Sequence, residues 1–395
     1  MRVLQVHNFY RAATPSGENT VFESEGALLE AAGHQVERYT RSNDEFHDAP
    51  LATLMSASLF ASHNPWSVAA FRRHVAAFQP DVVHIHNTFP LLSPAILSAA
   101  RDSGTAVVAT LHNYRVICAQ GGFLRSHRIC TECLTGASAW PSVVHGCYRG
   151  RLGSVPVAAA IGWHRRARTW EDSPHALIVL TEFQKALMLQ AGFPEGRLHV
   201  KGNFTPGAEP VPWEDREATV VYLGRVSEEK GIRTLLDAWE LLGSRAPKLR
   251  IIGAGEDLAD VRERVRASSA SSQIELMGTL PHSEAMQMLA RSRLLVFPSI
   301  WYEPFGLSVI EAYARAVPVL ASRIGSLPEL VHENRTGALF APGDARLLSE
   351  RILALWNNQR ELERLALGAH REWELQHAPQ ANLARLEEIY QVARN

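Results

Sequence analysis

Short runs of β-branched and aliphatic residues alternate with stretches of helical periodicity along the whole chain, and this alternation constrains the fold more than any other feature. Val3–Val6 reads as a strand, Val21–Ala31 as a helix stopped by Gly33, and Val36–Tyr39 as a second strand. A helix over Trp66–Phe78, with Pro65 near its start, precedes strands at Val82–Ile85, Ala106–Thr110 and Leu177–Leu180. Lys201–Glu217 breaks the rhythm with Gly202, Pro206, Gly207, Pro210 and Pro212, and reads as a linker. The alternation then restarts. Strands are expected at Thr219–Leu223, Leu249–Ile252, Ile274–Met277, Leu294–Phe297 and Val317–Leu320, with a helix after each. Asn382–Val392 carries apolar residues at 383, 386, 389 and 392, one face of a final helix. Such alternation builds parallel sheets covered by helices, so two open α/β domains are expected. Ligands of these sheets bind beyond the carboxyl ends of the strands, which points to a central cleft between the domains.

Composition narrows the function. The 395 residues suggest two or three domains at about 150 residues each. Apolar residues at 46% suffice for two cores. A net charge of −1 argues against a nucleic-acid partner. No window reaches the roughly 18 unbroken apolar residues of a membrane span. The opening MRVLQVHNFY reads as a core strand rather than a signal peptide. A cytoplasmic enzyme is expected, at most one working at the inner face of a membrane.

Two segments carry the chemistry. Tyr222–Gly231 leaves a strand and enters a helix. Gly224 permits a tight turn, Arg225 offers a planar fork of donors, Lys230 a mobile charge, and Gly231 close backbone approach. Together they suit a diphosphate, whereas any one of them alone would read as a solvated loop. Gly253-Ala254-Gly255 competes as a phosphate loop, but Leu258 stands where a dinucleotide fingerprint needs a small residue, and Glu256 and Asp257 would repel a pyrophosphate. The second segment, Pro298–Glu311, follows an apolar strand. Pro304 and Gly306 mark a turn into a helix whose first N–H groups can receive a phosphate or a hydroxyl. Glu303 and Glu311 can each accept hydrogen bonds from vicinal hydroxyls, one from a hexose and the other from a ribose. An exposed charged helix face is the plainer reading of Glu311, but Val309, Ile310, Ala312 and Ala314 make its surroundings apolar.

EPFGLSVIE downstream of GRVSEEKG resembles the retaining glycosyltransferases of family 4 along essentially the whole chain. The resemblance implies a GT-B fold of two Rossmann-like domains, 1–202 for the acceptor and 203–376 for the donor, with 377–395 crossing back to the N-terminal domain. It implies an NDP-sugar donor, UDP- or GDP-linked, and a polysaccharide or glycoconjugate product built on an acceptor such as a lipid-linked glycan. By the same resemblance Arg225 and Lys230 bind the diphosphate, Glu303 contacts the transferred sugar, Glu311 the ribose, and backbone at Phe305, Gly306 and Leu307 the sugar and phosphate. Gly278, in the strand end Met277–Leu280, is expected to border the base. No catalytic metal is implied, and the chain has no Asp-x-Asp motif. A nucleotide-sugar epimerase of the same fold, or a binding protein without turnover, would share part of this pattern.

The N-terminal half contributes a loop over Asn8–Asn19. The family carries a Gly-Gly pair there, but Pro15-Ser16-Gly17-Glu18 keeps only Gly17, and a plain βα connection is the alternative. His112 follows a strand end, where a family histidine approaches the transferred sugar; a surface-loop histidine is the alternative. His84 and His86 are read on opposite faces of their strand or near its end, with His86 and Asn87 as candidates for the acceptor side.

Two features fall outside the resemblance. All four cysteines lie in one insertion, Asn113–Gly153: Cys118, Cys130, Cys133 and Cys147. A four-thiolate structural zinc, inert buried thiols and disulfides are the three readings. Trp163–Trp170 is basic with aromatic edges. It reads first as a solvated helix face, and alternatively as contact with an anionic membrane or a lipid-diphosphate acceptor.

Overall fold

The computed structural model describes residues 1–10, 16–46 and 62–395; Pro15 and the preceding four residues of the N-terminal loop lie outside them. The described chain divides into two compact units. Met1–Phe123, Cys130–Gly202 and Asn382–Asn395 form the first, and Leu124–Ile129 with Asn203–Ala381 form the second.

The strands, in chain order, are β1 (Arg2–Phe9), β2 (Gln35–Ser42), β3 (Val82–Asn87), β4 (Ala106–Thr110), the short pair β5 (Leu124–Arg125) and β6 (Arg128–Ile129), β7 (Ala176–Val179), β8 (Leu198–Val200), β9 (Thr219–Leu223), β10 (Lys248–Ile252), β11 (Ile274–Gly278), β12 (Leu294–Phe297), β13 (Val319–Ser322) and β14 (Gly337–Phe340). The first unit holds a six-stranded parallel sheet in the order β2-β1-β3-β4-β7-β8. The second holds another, β11-β10-β9-β12-β13-β14. Both are doubly wound, and each has one switch point: β1/β3 in the first sheet, β9/β12 in the second. The crevice that receives ligands in this architecture opens at the carboxyl ends of the switch-point strands.

Packing follows from the sequence pattern. In the second unit the helix Ile232–Leu242 turns Leu235, Leu236 and Trp239 onto Val220, Ile251 and Val296 of the sheet. Burying such side chains contributes about 1.5–3 kcal/mol each. The Trp239 indole N–H donates to Pro247 O at 2.9 Å, so its one polar atom is satisfied. In the first unit Leu386, Ile389 and Tyr390 of the C-terminal helix pack with Val3, Val82 and Ile178.

The first sheet departs from an apolar pattern at its centre. Gln5 and His7 on β1 and His84 and His86 on β3 are all buried. The register between β1 and β3 shifts at Val6/His7, which sets His7 opposite Asn87 at the switch point. The insertion after His112 is not a bare loop. It contains the β5–β6 hairpin, the short helices Glu132–Thr135 and Pro141–His145, and the start of a 17-residue helix, Gly150–Arg166.

Candidate active site

In the second unit the segments from β9 and β12 meet as the topology requires. The turn after β9 is zipped to the turn after β10: Gly224 N–H donates to Ile252 O at 3.1 Å and Val226 N–H to Ala254 O at 3.0 Å. Gly253 N–H continues the row to Gly278 O at 2.8 Å. Gly253 serves this contact and not a phosphate, because a Cβ there would lie 1.9 Å from Gly224 O. The next turn, Glu228–Lys230, ends on Gly231 at φ 72°, where a Cβ would sit 1.8 Å from the Pro298 carbonyl oxygen. Only glycine lets the Lys230 turn rest on the start of the β12 segment.

That contact brings Lys230 to Glu303. The ammonium donates to Glu303 Oε1 at 2.6 Å. The same oxygen accepts the Ser299 hydroxyl at 2.6 Å and the Trp301 indole N–H at 2.7 Å. Lys230 also lies over the rings of Phe297 and Trp301, at 5.5 and 5.3 Å, which favours the cation. Glu303 is buried and its three donors fix it. Ser299 and Trp301 carried no sequence signal of their own; only their places two and four residues before Glu303, on the same turn, pointed to them.

Arg225 is half-exposed and forms an ion pair with Glu229. Its backbone carbonyl accepts the Tyr222 hydroxyl at 2.5 Å, and the guanidinium is left at the surface. The helix after the second segment begins at Leu307, with Gly306 at φ 112° before it. The Ser308 hydroxyl donates to Leu223 O at 3.0 Å, tying this helix to the end of β9. Phe305 is buried and its carbonyl accepts from Ser326 at 3.1 Å. Glu311 occupies the fifth position of the helix. Burial raises its carboxyl, opposed by His282 and Arg315. Glu303 and Glu311 share no partner and are not a carboxylate dyad.

In the first unit the β1/β3 crevice holds a network of imidazoles around one ion pair. His112, after β4, lies with Nε2 3.0 Å from His86 Nδ1, and the two rings stack. His86 Nε2 is 3.3 Å from Glu25 Oε1, off the axis of a straight hydrogen bond. Glu25, from the helix Gly17–Ala31, receives the Lys201 ammonium on its other oxygen at 2.9 Å. His84 Nδ1 meets the Tyr390 hydroxyl at 2.8 Å and Glu25 Oε1 at 3.1 Å, and its Nε2 meets the Thr110 hydroxyl at 2.7 Å. His84 and His86 therefore share a face of β3, contrary to the sequence reading. Residues two apart on a strand point the same way.

Burial sets the charge state of this network. It lowers His86 to about 4, with His84 adding to the effect. Burial, then His86 and His7, hold His112 well below its usual value. For Glu25, burial opposes ionisation but the Lys201 ammonium and His84 outweigh it, so the carboxylate persists well below the usual range. The result is a carboxylate, Glu25, paired with the Lys201 ammonium beside neutral His86 and His112 imidazoles. A neutral His86 facing the carboxylate keeps its proton on Nε2, so Nδ1 accepts from His112 and leaves His112 Nδ1 as an acceptor. Glu25, His84 and His86 have ligand atoms within 4.8 Å of one another, the spacing of a metal site. Lys201 already neutralises Glu25, and both His84 nitrogens are engaged, so these residues fit a salt-bridged network better than an ion. Neither Glu25 nor Lys201, 176 residues apart, could be paired from sequence.

Asn87 is held at both ends: its amide donates to Asn8 O at 2.9 Å and its oxygen accepts Phe89 N–H at 3.0 Å, and it lines the pocket beside His86 and His112. Gly17 opens the helix Gly17–Ala31 and is exposed. The next residue, Glu18, accepts the Asn113 amide at 2.5 Å, and burial raises its carboxyl. A pocket opens beside His86 and His112, with Arg115 on its polar side and Phe89, Val157 and Ile161 on its apolar side.

The four cysteines all belong to the first unit and none is in a disulfide. Burial pushes the Cys133 thiol up to about 11, and Cys118, Cys147 and Cys130 add to the rise, so the four are neighbours. Among the described residues no three of their sulfurs lie within 4.8 Å of one another.

Two domain families match the chain. Residues 15–205 match glycosyltransferase family 4, and residues 208–371 match glycosyl transferases group 1. Glycogen synthase of Mycobacterium tuberculosis is 32% identical over 154 residues, 38% of this chain and 37% of that protein. The 2-deoxystreptamine N-acetyl-D-glucosaminyltransferase of Niallia circulans is 28% identical over 156 residues, 39% of this chain and 40% of that protein. O-antigen chain mannosyltransferase B of Escherichia coli is 32% identical over 137 residues, 34% of this chain and 35% of that protein. Each match thus spans well under half of the relative. Among solved structures, sucrose-phosphate synthase from Thermosynechococcus elongatus superposes with a TM-score of 0.71 at 20% identity, covering 99% of this chain and 98% of that one. Anabaena HepE in complex with UDP-glucose gives 0.66 at 17% identity, covering 99% and 100%. These likenesses show the GT-B fold of paired Rossmann-like units.

Proposed function

From the premise that this chain belongs to the family 4 glycosyltransferases, we propose that it transfers a sugar from an NDP-sugar to a glycan-type acceptor, with retention and without a catalytic metal. One observation carries the reading. At the β9/β12 switch point a cation, Lys230, is held 2.6 Å from a buried carboxylate, Glu303, that three donors orient. An ion pair fixed in that crevice offers a positive group to a diphosphate and an acceptor oxygen to a sugar hydroxyl.

In the proposed reaction the bond between the sugar anomeric carbon and the β-phosphate oxygen breaks. The acceptor oxygen bonds to the same carbon on the same face, and its proton passes to the leaving phosphate. Lys230 and the outward-facing Arg225 stabilise the charge that develops on that phosphate. Glu303 positions the transferred sugar, backbone at Phe305, Gly306 and Leu307 receives sugar and phosphate, and Glu311 takes the ribose. Gly224 shapes the turn that carries Arg225 and Lys230, and Gly278, at the end of β11, borders the base. His112, neutral and with Nδ1 as an acceptor, serves a sugar hydroxyl, and Gly17, at the start of the helix Gly17–Ala31, is assigned to the donor phosphate. His86 acts through His112 as a positioning residue. The donor nucleotide is UDP or GDP, and the UDP-glucose complex of a protein with the same fold supports the former. In this reading Cys118, Cys130, Cys133 and Cys147 would hold a structural zinc, which would supply a cross-link that braces the insertion.

Incubation with a panel of NDP-sugars tests the proposal. Release of nucleoside diphosphate that requires acceptor is expected. Inversion at C2 without acceptor would instead identify an epimerase, and binding without turnover a sensor.

A further inference from the structure

The helix Gly150–Arg166 has two unlike faces. Its inward face supplies Val157 and Ile161 to the pocket beside His112. Its outward face sets Leu152, Val155, Ala159, Trp163 and Arg166 in one row, at the three- and four-residue spacing of a helical stripe. Leu152 is 90% exposed and Trp163 64%, values a soluble surface rarely grants two large apolar side chains on one helix face. The neighbouring helix Pro141–His145 packs on this one through Val143 and adds exposed Val144, with Trp140 exposed at its N-cap.

Charge identifies the occupant. Between Cys133 and Trp170 the chain has five arginines and no Asp or Glu. Arg149, Arg151 and Arg166 are exposed around the apolar row. Arg168 is taken by Asp172, and Arg165 donates to Cys133 O. A second copy of the chain would bring the same arginines against themselves. An apolar stripe with arginine flanks instead matches a bilayer interface carrying anionic headgroups, where the apolar row enters the acyl boundary and the guanidinium groups meet phosphate.

We propose that this outward face docks on an anionic membrane surface. A helix is about 10 Å across, so docking sets the pocket on its inward face about one helix diameter from the headgroups. An acceptor anchored in the membrane could then present its polar end to the pocket. The docking itself does not rest on the transfer reaction.

Co-sedimentation with vesicles separates the outcomes. The whole chain should bind vesicles containing about 30% phosphatidylglycerol and bind pure phosphatidylcholine at least about tenfold more weakly. Leu152→Glu/Trp163→Glu should lower anionic-vesicle binding about tenfold or more. Arg151→Glu/Arg166→Glu should abolish the preference for anionic lipid. Both double variants replace exposed side chains and should keep the parent melting temperature and nucleoside-diphosphate binding. Parent-like vesicle binding by the first double variant, equal binding to neutral and anionic vesicles, or no vesicle binding by the parent chain would each overturn the proposal. So would a dimer in sedimentation velocity that the same substitutions dissolve.

Discussion

Replacing Lys201 with Met should destabilise the first unit severely, and the buried Glu25 gives the magnitude. Lys201 is 4% exposed and Glu25 1%, and their contact is 2.9 Å. Removing the ammonium leaves a carboxylate with no cation in a site closed to water. Breaking a buried pair in this way costs about 3–5 kcal/mol. For a unit of roughly 200 residues each kcal/mol moves the melting temperature by about 2–4 °C, so a fall of about 6–20 °C is expected. Glu25→Gln/Lys201→Met removes both charges and should recover most of the loss, because the cost lies in the orphaned charge. Differential scanning calorimetry reads both, with the transition of the second unit as internal reference. A fall under about 2 °C for Lys201→Met, or a double variant no better than the sum of the singles, would refute the assignment of Glu25 and Lys201 as the charge centre of the network.

Acid should act on the same network. His86 is lowered from 6.5 to about 4, so the unfolded chain takes up a proton there before the folded one does, and stability falls as pH drops from 6.5 to 4, by about 3 kcal/mol from His86 alone. Glu25 is depressed, so its contribution is kept above its unfolded pKa and lost only as pH falls below that range. Urea midpoints at pH 7, 6, 5 and 4 should decline, and a flat series would contradict the neutral-imidazole assignment. Gly231→Ala should reduce nucleoside-diphosphate binding, measured by titration calorimetry, because its Cβ would strike the Pro298 carbonyl and push the Lys230 turn off Glu303. Parent-like affinity would contradict that geometry. Elemental analysis of purified protein should return close to one zinc per chain, and chelation should lower the melting temperature of the first unit. Less than about half an equivalent with intact thiols would leave the four cysteines as buried thiols.

Much of the fold was legible because its punctuation is local. Strands β4, β9 and β12 have the bounds the sequence suggests: Gly104-Thr105 precedes β4, Gly224 ends β9, and Arg293 and Pro298 bracket β12. Strands β8 and β14 carry only three and four residues in loop-like surroundings, too short for periodicity to register. β13 lies two residues later than its apolar run suggests, because Pro318 has no N–H for the ladder and pairing begins at Val319. The two segments that meet at the β9/β12 switch point could be picked out because GRVSEEKG and EPFGLSVIE are each contiguous runs. The Glu25–Lys201 pair could not, since nothing in a buried glutamate's neighbours announces a lysine that a distant strand end delivers. Leu258, Glu256 and Asp257 already argue in the sequence that Gly253-Ala254-Gly255 is a tight turn and not a phosphate loop, and the glycines make a backbone contact with the switch-point turn.

The central claim is that Lys230, held against Glu303 at the switch point, stabilises the leaving diphosphate. The most direct test is single-turnover transfer by Lys230→Ala with saturating donor and acceptor. The rate should fall by about 100- to 1000-fold, the scale for losing one preorganised electrostatic contact, with the melting transition of the second unit still present. Near-normal turnover in a folded Lys230→Ala variant would contradict it.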